Sequence, residues 1–274
     1  MTERLAPALR RLLEGGEPCA LVTVAEVRGS TPRGTGARML VTRERLFGTV
    51  GGGRLEWDAA LRARALLAGG GGGGGDAVML ELPLGPEIGQ CCGGWVRLRL
   101  EPADRAALAR LEAAERAEAE ALPAVALFGA GHVGRALAAA LAPLPFRVCW
   151  IDPRAAEFPA DPPPGVEACV VEWPVREVAA APAGAAYVVT THSHGLDFEL
   201  CEAVLRRGDF AWLGLIGSLT KRRRFERGLR ELGIEEVTLA RLVCPMGLPG
   251  IAGKEPAIIA ASVAAQLLME VGGG

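Results

Sequence analysis

The sequence has little to offer a nucleic acid, a secretion pathway or a bilayer. Thirty Lys and Arg stand against 32 Asp and Glu, for a formal net charge of −2. No basic excess remains to line one face toward a phosphate backbone. The opening Met-Thr-Glu-Arg-Leu has no apolar stretch behind it of the kind that directs export. The longest uncharged apolar run near the end, Pro256 to Met269, is 14 residues and alanine-rich. A bilayer span takes about 20 residues, so the run is expected to be a buried helix. Neither an HExxH nor a CxxC pattern occurs, which removes the familiar zinc spacings. Seven cysteines, an odd number without an export signal, read as free thiols in a reducing, cytoplasmic setting.

What is present is ample material for two domains: 274 residues, half of them hydrophobic and 23% charged, against roughly 100 to 200 residues per domain. Leu5, Leu9, Leu12 and Leu13 mark one face of a helix over 3–14 that Gly15 and Gly16 close. CALVTVAEV (19–27), ARMLV (37–41) and RLFGTV (45–50) read as strands, with a turn at Arg43-Glu44. A helix over 54–68 follows. Seven consecutive glycines, 69 to 75, read as a loop insertion without chemistry. Two more strands (76–82, 95–101) and a linker helix (103–121) complete a smaller mixed α/β domain, 1–120. From Ala124 strand signals (124–128, 146–151, 166–171, 185–190, 211–216) alternate with helical ones (132–142, 174–180, 196–207, 218–232). That alternation predicts a Rossmann-like parallel sheet over 121–274.

The second domain opens on AVALFGAGHVGRAL, with Gly129, Gly131 and Gly134 as GxGxxG between a strand and a helix. There the glycines allow a tight turn, close approach of a phosphate and close helix packing, and the helix start offers free N–H groups. Asp152 ends the next strand, where an acid would grip a ribose 2′-hydroxyl; Arg154 nearby suits a 2′-phosphate and leaves NAD against NADP open. In THSHGLD, His192 and His194 share a face if the strand extends that far, and Asp197 or Cys201 would complete a metal site. The other placement for the histidines is the ligand crevice at the sheet's C-terminal ends. Lys221 to Arg224 form a basic run around a helix whose buried face is Phe225, Leu229 and Leu232, which predicts a solvated helix.

The first domain has its own glycine loop in TVGGGRLE. Gly51, Gly52 and Gly53 stand at a strand-to-helix junction, where successive N–H groups form an anion nest. Arg28, Ser30, Thr31, Arg33 and Arg38 in RGSTPRGTGARM are donors for a phosphate or a polar heterocycle. A tight turn beside a solvated loop accounts for the same spacing. GQCCGG (89–94) sets Cys91 and Cys92 side by side. Their Cα atoms stand about 3.8 Å apart, short of the roughly 4.4 to 6.8 Å of ordinary disulfides. Accessible thiols for a soft metal centre or for carrying sulfur are what remain. Cys19, Cys149 and Cys169 read as small hydrophobes in strands. Cys244 opens a Gly/Pro loop.

Taken together, RGSTPRGTGARMLV, GTVGGGRLE, GQCCGGWV, FGAGHVGRAL, THSHGLDFELC, LIGSLTKRRRF and CPMGLPGIAGKEPAIIAASVAAQLL resemble the XdhC/CoxI family over about residues 10 to 268. The glycine insertion touches none of these blocks. The resemblance implies an accessory protein of xanthine dehydrogenase-type molybdenum hydroxylases, a maturation chaperone rather than an enzyme in its own right. It implies binding of the molybdenum cofactor, support of its sulfuration by a cysteine desulfurase, and delivery to the apo-hydroxylase. On that footing Cys91 or Cys92 contacts molybdenum. The glycine loops, with Arg33, Asp152, His192 and His194, serve the cofactor's phosphate, a nucleotide or NAD(P). A homo-oligomer is expected. An NAD(P)-dependent oxidoreductase and a nucleotide-responsive assembly adaptor are the alternatives.

Overall fold

The computed structural model describes residues 4–69, 77–84 and 93–272. Cys91, Cys92 and all but the first of the seven consecutive glycines lie outside the described residues. The chain divides into two compact units, Thr2–Ala119 and Glu120–Gly274.

The first unit runs α1 (Ala6–Glu14), β1 (Cys19–Arg28), β2 (Arg38–Thr42), β3 (Leu46–Gly48), α2 (Gly53–Ala68), β4 (Val78–Pro83), β5 (Trp95–Pro102) and α3 (Arg105–Ala121). Its strands pair antiparallel in the order β3-β2-β1-β5-β4. Side chains alternate across a strand, and the central strand β1 is apolar on both faces. Ala20, Val22 and Val24 pack with Leu55, Ala59 and Ala63 of α2. Cys19 and Leu21 pack with Leu9 and Leu12 of α1 and with Ala107 and Leu111 of α3. The sheet is thereby covered by helices on both sides. The Arg43-Glu44 turn is held by Thr42, whose hydroxyl accepts from the Glu44 and Arg45 N–H groups.

The second unit begins with β6 (Ala124–Phe128), α4 (His132–Leu141), β7 (Arg147–Asp152) and β8 (Val166–Val170). It continues through α5 (Pro174–Ala180), β9 (Ala186–Val189), α6 (His194–Arg207), β10 (Trp212–Leu215) and α7 (Leu219–Glu231), and ends with α8 (Glu236–Leu239), β11 (Leu242–Val243) and α9 (Pro256–Glu270). The sheet is parallel throughout, in the order β11-β10-β9-β6-β7-β8. The chain moves outward from β6 to β8, then crosses to the other side of β6 and moves outward again. This is the doubly wound dinucleotide order, and its C-terminal edge opens a crevice where the direction reverses, between β6 and β9. One face packs α5, α6 and α7 through Val178, Leu200, Val204, Phe225 and Leu229. The other packs α4 and α9 through Leu137, Leu141, Val263 and Leu267. The alanine-rich run is the buried helix α9. No helix of the described residues is long and apolar enough to cross a membrane.

Two expectations for α7 need correction. Leu232 is past the last turn and exposed, so the buried face is Phe225 and Leu229 alone. Lys221 is turned inward, as described below. The strand β11 and the helix α8 are too short for hydrophobic periodicity to show them.

Helix α4 sits directly on the turn before it. A Cβ on Gly134 would stand 1.9 Å from the Gly129 carbonyl oxygen and 2.8 Å from its carbon. Both are backbone atoms, so the contact is relieved only by lifting the helix. Gly134→Ala is therefore expected to cost about 1 to 3 kcal/mol, the range for overpacking, as a lowered midpoint of urea unfolding. An unchanged midpoint would show that α4 has room to shift.

Candidate functional site: the sheet crevice and the glycine segments of the first unit

At the crevice, the turn after β6 is tied to both neighbours. The Gly129 N–H donates to the Ile151 carbonyl at 2.8 Å. Gly129 holds φ +112°, and a Cβ there would meet the Thr190 carbonyl oxygen at 2.4 Å. Thr190 in turn donates its N–H and its hydroxyl to the Phe128 carbonyl, at 2.8 and 2.9 Å. Gly129 and Gly134 are thus demanded by packing. Gly131 is different: a Cβ there meets nothing within 4 Å. It caps α4 without a side-chain hydrogen bond, and the first-turn N–H groups of a helix have no intrahelical partners. That is the geometry in which a helix start receives a phosphate.

Asp152 is placed where a ribose-binding acid belongs, but its carboxylate is already engaged. One oxygen accepts the Ala130 N–H at 2.7 Å, and the Arg154 guanidinium clamps both oxygens at 2.9 Å each. The Arg154 N–H adds a further bond at 2.9 Å. The side chain is buried. Burial pushes its pKa up, but the Arg154 guanidinium and the two N–H groups outweigh it, and the net shift is downward. The expectation that Asp152 faces a ribose gives way to a structural one: it stitches the turn after β7 to the glycine turn. Spacing alone does not separate these roles.

The condition for a shared histidine face is not met, and the crevice placement is the one seen. β9 ends at Val189, so His192 lies in the loop beyond it and His194 opens α6. Both are exposed at the crevice edge, and they share no strand face. Ser193 caps α6 by accepting the Leu196 N–H. Asp197 points inward and is buried, as is Cys201 one turn on. Among the described residues no three His, Cys, Asp or Glu side chains group as metal ligands.

Asp197 is instead the centre of a network. One carboxylate oxygen accepts the Thr191 hydroxyl at 2.7 Å and its N–H at 3.1 Å. The other accepts Lys221 Nζ at 2.6 Å, and Nζ also donates to the Ile216 carbonyl at 2.8 Å. The pair is nearly sealed, with 2% of the Asp197 side chain and 12% of that of Lys221 exposed. It joins the loop after β9 to the loop after β10. The arginines beside Lys221 hid it in the sequence; the available signal was that the chain has only two lysines, Lys221 and Lys254.

In the first unit three separate motifs converge. The segment after β1 presses Ser30 and Arg28 against the end of the cysteine stretch. Ser30 bridges to Gly93, and a Cβ on Gly94 would stand 2.2 Å from the Ser30 carbonyl oxygen. Two residues on, Pro32 lies against the other glycine loop, where a Cβ on Gly51 would stand 2.8 Å from its ring. Gly51, Gly52 and Gly53 all have positive φ, where an anion nest alternates αR and αL residues. The turn also carries its own anion: Glu56 accepts the Gly52 N–H at 3.2 Å and the Thr49 hydroxyl. Arg28 pairs with Glu26, and Arg38 with Glu118. Ser30, Thr31 and Arg33 have substantial exposure between the two glycine segments. No spacing rule foretold this meeting, because it is made by the antiparallel sheet.

An antiparallel unit with convergent glycine segments, joined in one chain to a doubly wound unit with a phosphate-type turn, defines a two-domain protein of dinucleotide-fold type. The family model of the XdhC Rossmann domain matches residues 125–267, and that of the XdhC and CoxI family matches residues 12–78. The chain belongs to the XdhC and CoxI family. The uncharacterized protein YqeB of Escherichia coli K12 is 30% identical over 260 residues, which are 94% of this chain and 44% of YqeB. The chain thus spans less than half the length of that relative. A crystal structure of a protein described as a xanthine dehydrogenase from Bacillus halodurans has the same fold. The TM-score is 0.76 at 19% identity, covering 97% of this chain and 95% of that one.

Removing either member of the buried ion pair leaves an uncompensated charge, a loss of about 3 to 5 kcal/mol. Asp197→Asn and Lys221→Met are each expected to destabilise by that order in urea unfolding, with the double variant well short of the sum; additive losses would mean the two side chains act independently. The Asp152 clamp predicts a pH dependence. Its folded-state carboxyl lies below the unfolded value of about 3.9. Its contribution is therefore fully present above that pH and lost as pH falls through the folded value. The stability gap between the parent and Asp152→Asn should close on acidification below about pH 4; a gap constant from neutral to strongly acidic pH would contradict the clamp.

Proposed function

We propose that this protein binds the molybdenum cofactor and serves the maturation of a xanthine dehydrogenase-type molybdenum hydroxylase. In this reading it holds the cofactor while a cysteine desulfurase supports exchange of an oxo for a sulfido ligand, then hands it to the apo-enzyme. It acts in the cytoplasm, as a homo-oligomer. The observation that carries the reading is the turn at Gly131. It is open where its two partner glycines are closed, at the reversal point of a doubly wound sheet in a chain of this family. The cradle fits a phosphate-bearing ligand, and the cofactor's pterin carries a phosphate tail.

Each group then has a stated task. The N–H groups at the start of α4 hold the phosphate, and Asp152 and Arg154 keep the turn in shape. The Asp197–Lys221 pair fixes the loop that presents His192 and His194. In the first unit, taken by itself, Ser30 and Arg33 carry donors suited to a phosphate or a polar heterocycle, while the Thr31 hydroxyl already donates to the Arg33 carbonyl at 3.0 Å. Cys91 or Cys92, outside the described residues, supplies a thiolate suited to a soft metal. When bound, the cofactor supplies the molybdenum–sulfur chemistry; the chain binds, orients and shields it. The doubly wound order also suits a nicotinamide dinucleotide, the oxidoreductase alternative, but the engagement of Asp152 by Arg154 and Ala130 speaks against a ribose there.

Protein purified from a molybdenum-replete host should retain pterin and molybdenum. A Cβ at Gly131 meets nothing within 4 Å, so the unfolding midpoint of Gly131→Val should stay near the parent's. Retained pterin should fall at least about tenfold, equivalent to about 1.4 kcal/mol of binding. A parent free of pterin and molybdenum that turns over NAD(P)H would establish the alternative instead.

A further inference from the structure

Cys149 and Cys169 are expected from the sequence to be two unrelated small hydrophobes in strands. The fold makes them a pair. β7 and β8 run parallel, with Cys149 opposite Glu167 and Ile151 opposite Cys169. The two cysteines are therefore diagonal neighbours. They also lie on one face, the one that packs toward α5. Their Sγ atoms stand 2.9 Å apart. That is inside the van der Waals contact of two sulfur atoms, and a disulfide bond is about 2.05 Å. Closing the bond takes a sulfur movement of under about 1 Å. Cys201 and Cys244, by contrast, are buried in the core.

The pair is also reachable. Both residues are half-buried, and Cys149 lines a cavity of about 180 Å³ with Arg147, Glu167 and Glu177. β8 is the outermost strand of the sheet, so among the described residues no further strand covers Cys169. With only two thiols and no third ligand grouped with them among the described residues, structural zinc is not the better account.

We propose that Cys149 and Cys169 are a dithiol site that a peroxide converts reversibly to an intramolecular disulfide. One sulfur attacks a peroxide oxygen, the O–O bond breaks, and a sulfenic acid forms with release of water. The second thiol then attacks that sulfur, the S–O bond breaks, and a second water leaves. Overall two thiols and one hydrogen peroxide give one disulfide and two waters, the sulfurs losing two electrons to the peroxide. Burial and the contact with Cys169 push the Cys149 thiol up, which keeps it protonated. The first attack therefore falls to Cys169, at the sheet edge, and Cys149 resolves it.

The full-length protein, treated with hydrogen peroxide and then alkylated under denaturing conditions, tests this directly. Trypsin separates the two cysteines into the peptides 148–154 and 155–176, each with no other cysteine. The expected result is these two peptides joined, separable again by dithiothreitol. With Cys149→Ser, Cys169 should accumulate as a sulfenic acid trapped by dimedone, while Cys169→Ser should leave Cys149 largely unmodified. Full alkylation of both cysteines after peroxide, or their linkage to other cysteines in place of each other, would overturn the proposal. The joined peptides are read whether or not the protein carries a cofactor.

Discussion

The second unit is organised around the absence of a single carbon atom. Because Gly134 has no side chain, α4 lies against the carbonyl of Gly129, and the start of the helix is set over the end of β6. Nearly everything at the crevice follows from that approach. The turn between them must reverse within three residues, so Gly129 takes a positive φ and comes against Thr190. Thr190 bonds back to Phe128, which holds the loop after β9 beside the turn after β6. What then has open space beside it is Gly131, at the start of the helix. The glycines thus split into two that pack and one that leaves space, a division the motif does not reveal.

Charge is used inside this unit for holding loops. Asp152 and Arg154 tie the turn after β7 to the glycine turn; Asp197 and Lys221 tie the loop after β9 to that after β10. Loops at the C-terminal edge of a parallel sheet have no ladder of their own, and their backbone groups need partners. Two carboxylates provide them here, each with a cation that keeps its burial tolerable. In the first unit Glu56 does the same for the Gly52 N–H.

The architecture was legible in the sequence because periodicity follows burial. β1 and the strands of the parallel sheet read correctly, as did α2 and α4 to within a residue or two. α8 and β11, at four and two residues, are shorter than any period. Candidate residues were legible by type but less so by role. Asp152 was found by its distance from the glycines, yet distance cannot say that Arg154 folds back onto it. In the sequence Lys221 does not stand apart from its arginine neighbours, since only the packing of α7 against α6 turns one of four basic side chains inward. The diagonal contact of Cys149 with Cys169 and the meeting of Ser30 with Gly94 depend on register, which spacing does not carry.

Nearly all the positive charge of this chain is arginine, and this gives Lys221 a use unrelated to any ligand. Besides the terminal amine, a lysine-directed acylating reagent finds two targets: Lys254, which is exposed, and Lys221, whose ammonium is spent on Asp197 and the Ile216 carbonyl. Lys254 labels at the rate of an open surface. Lys221 labels only when the loops after β9 and β10 part and the ammonium is freed. The ratio of the two rates is a built-in clock for opening of the crevice, and it runs without a probe being engineered into the fold.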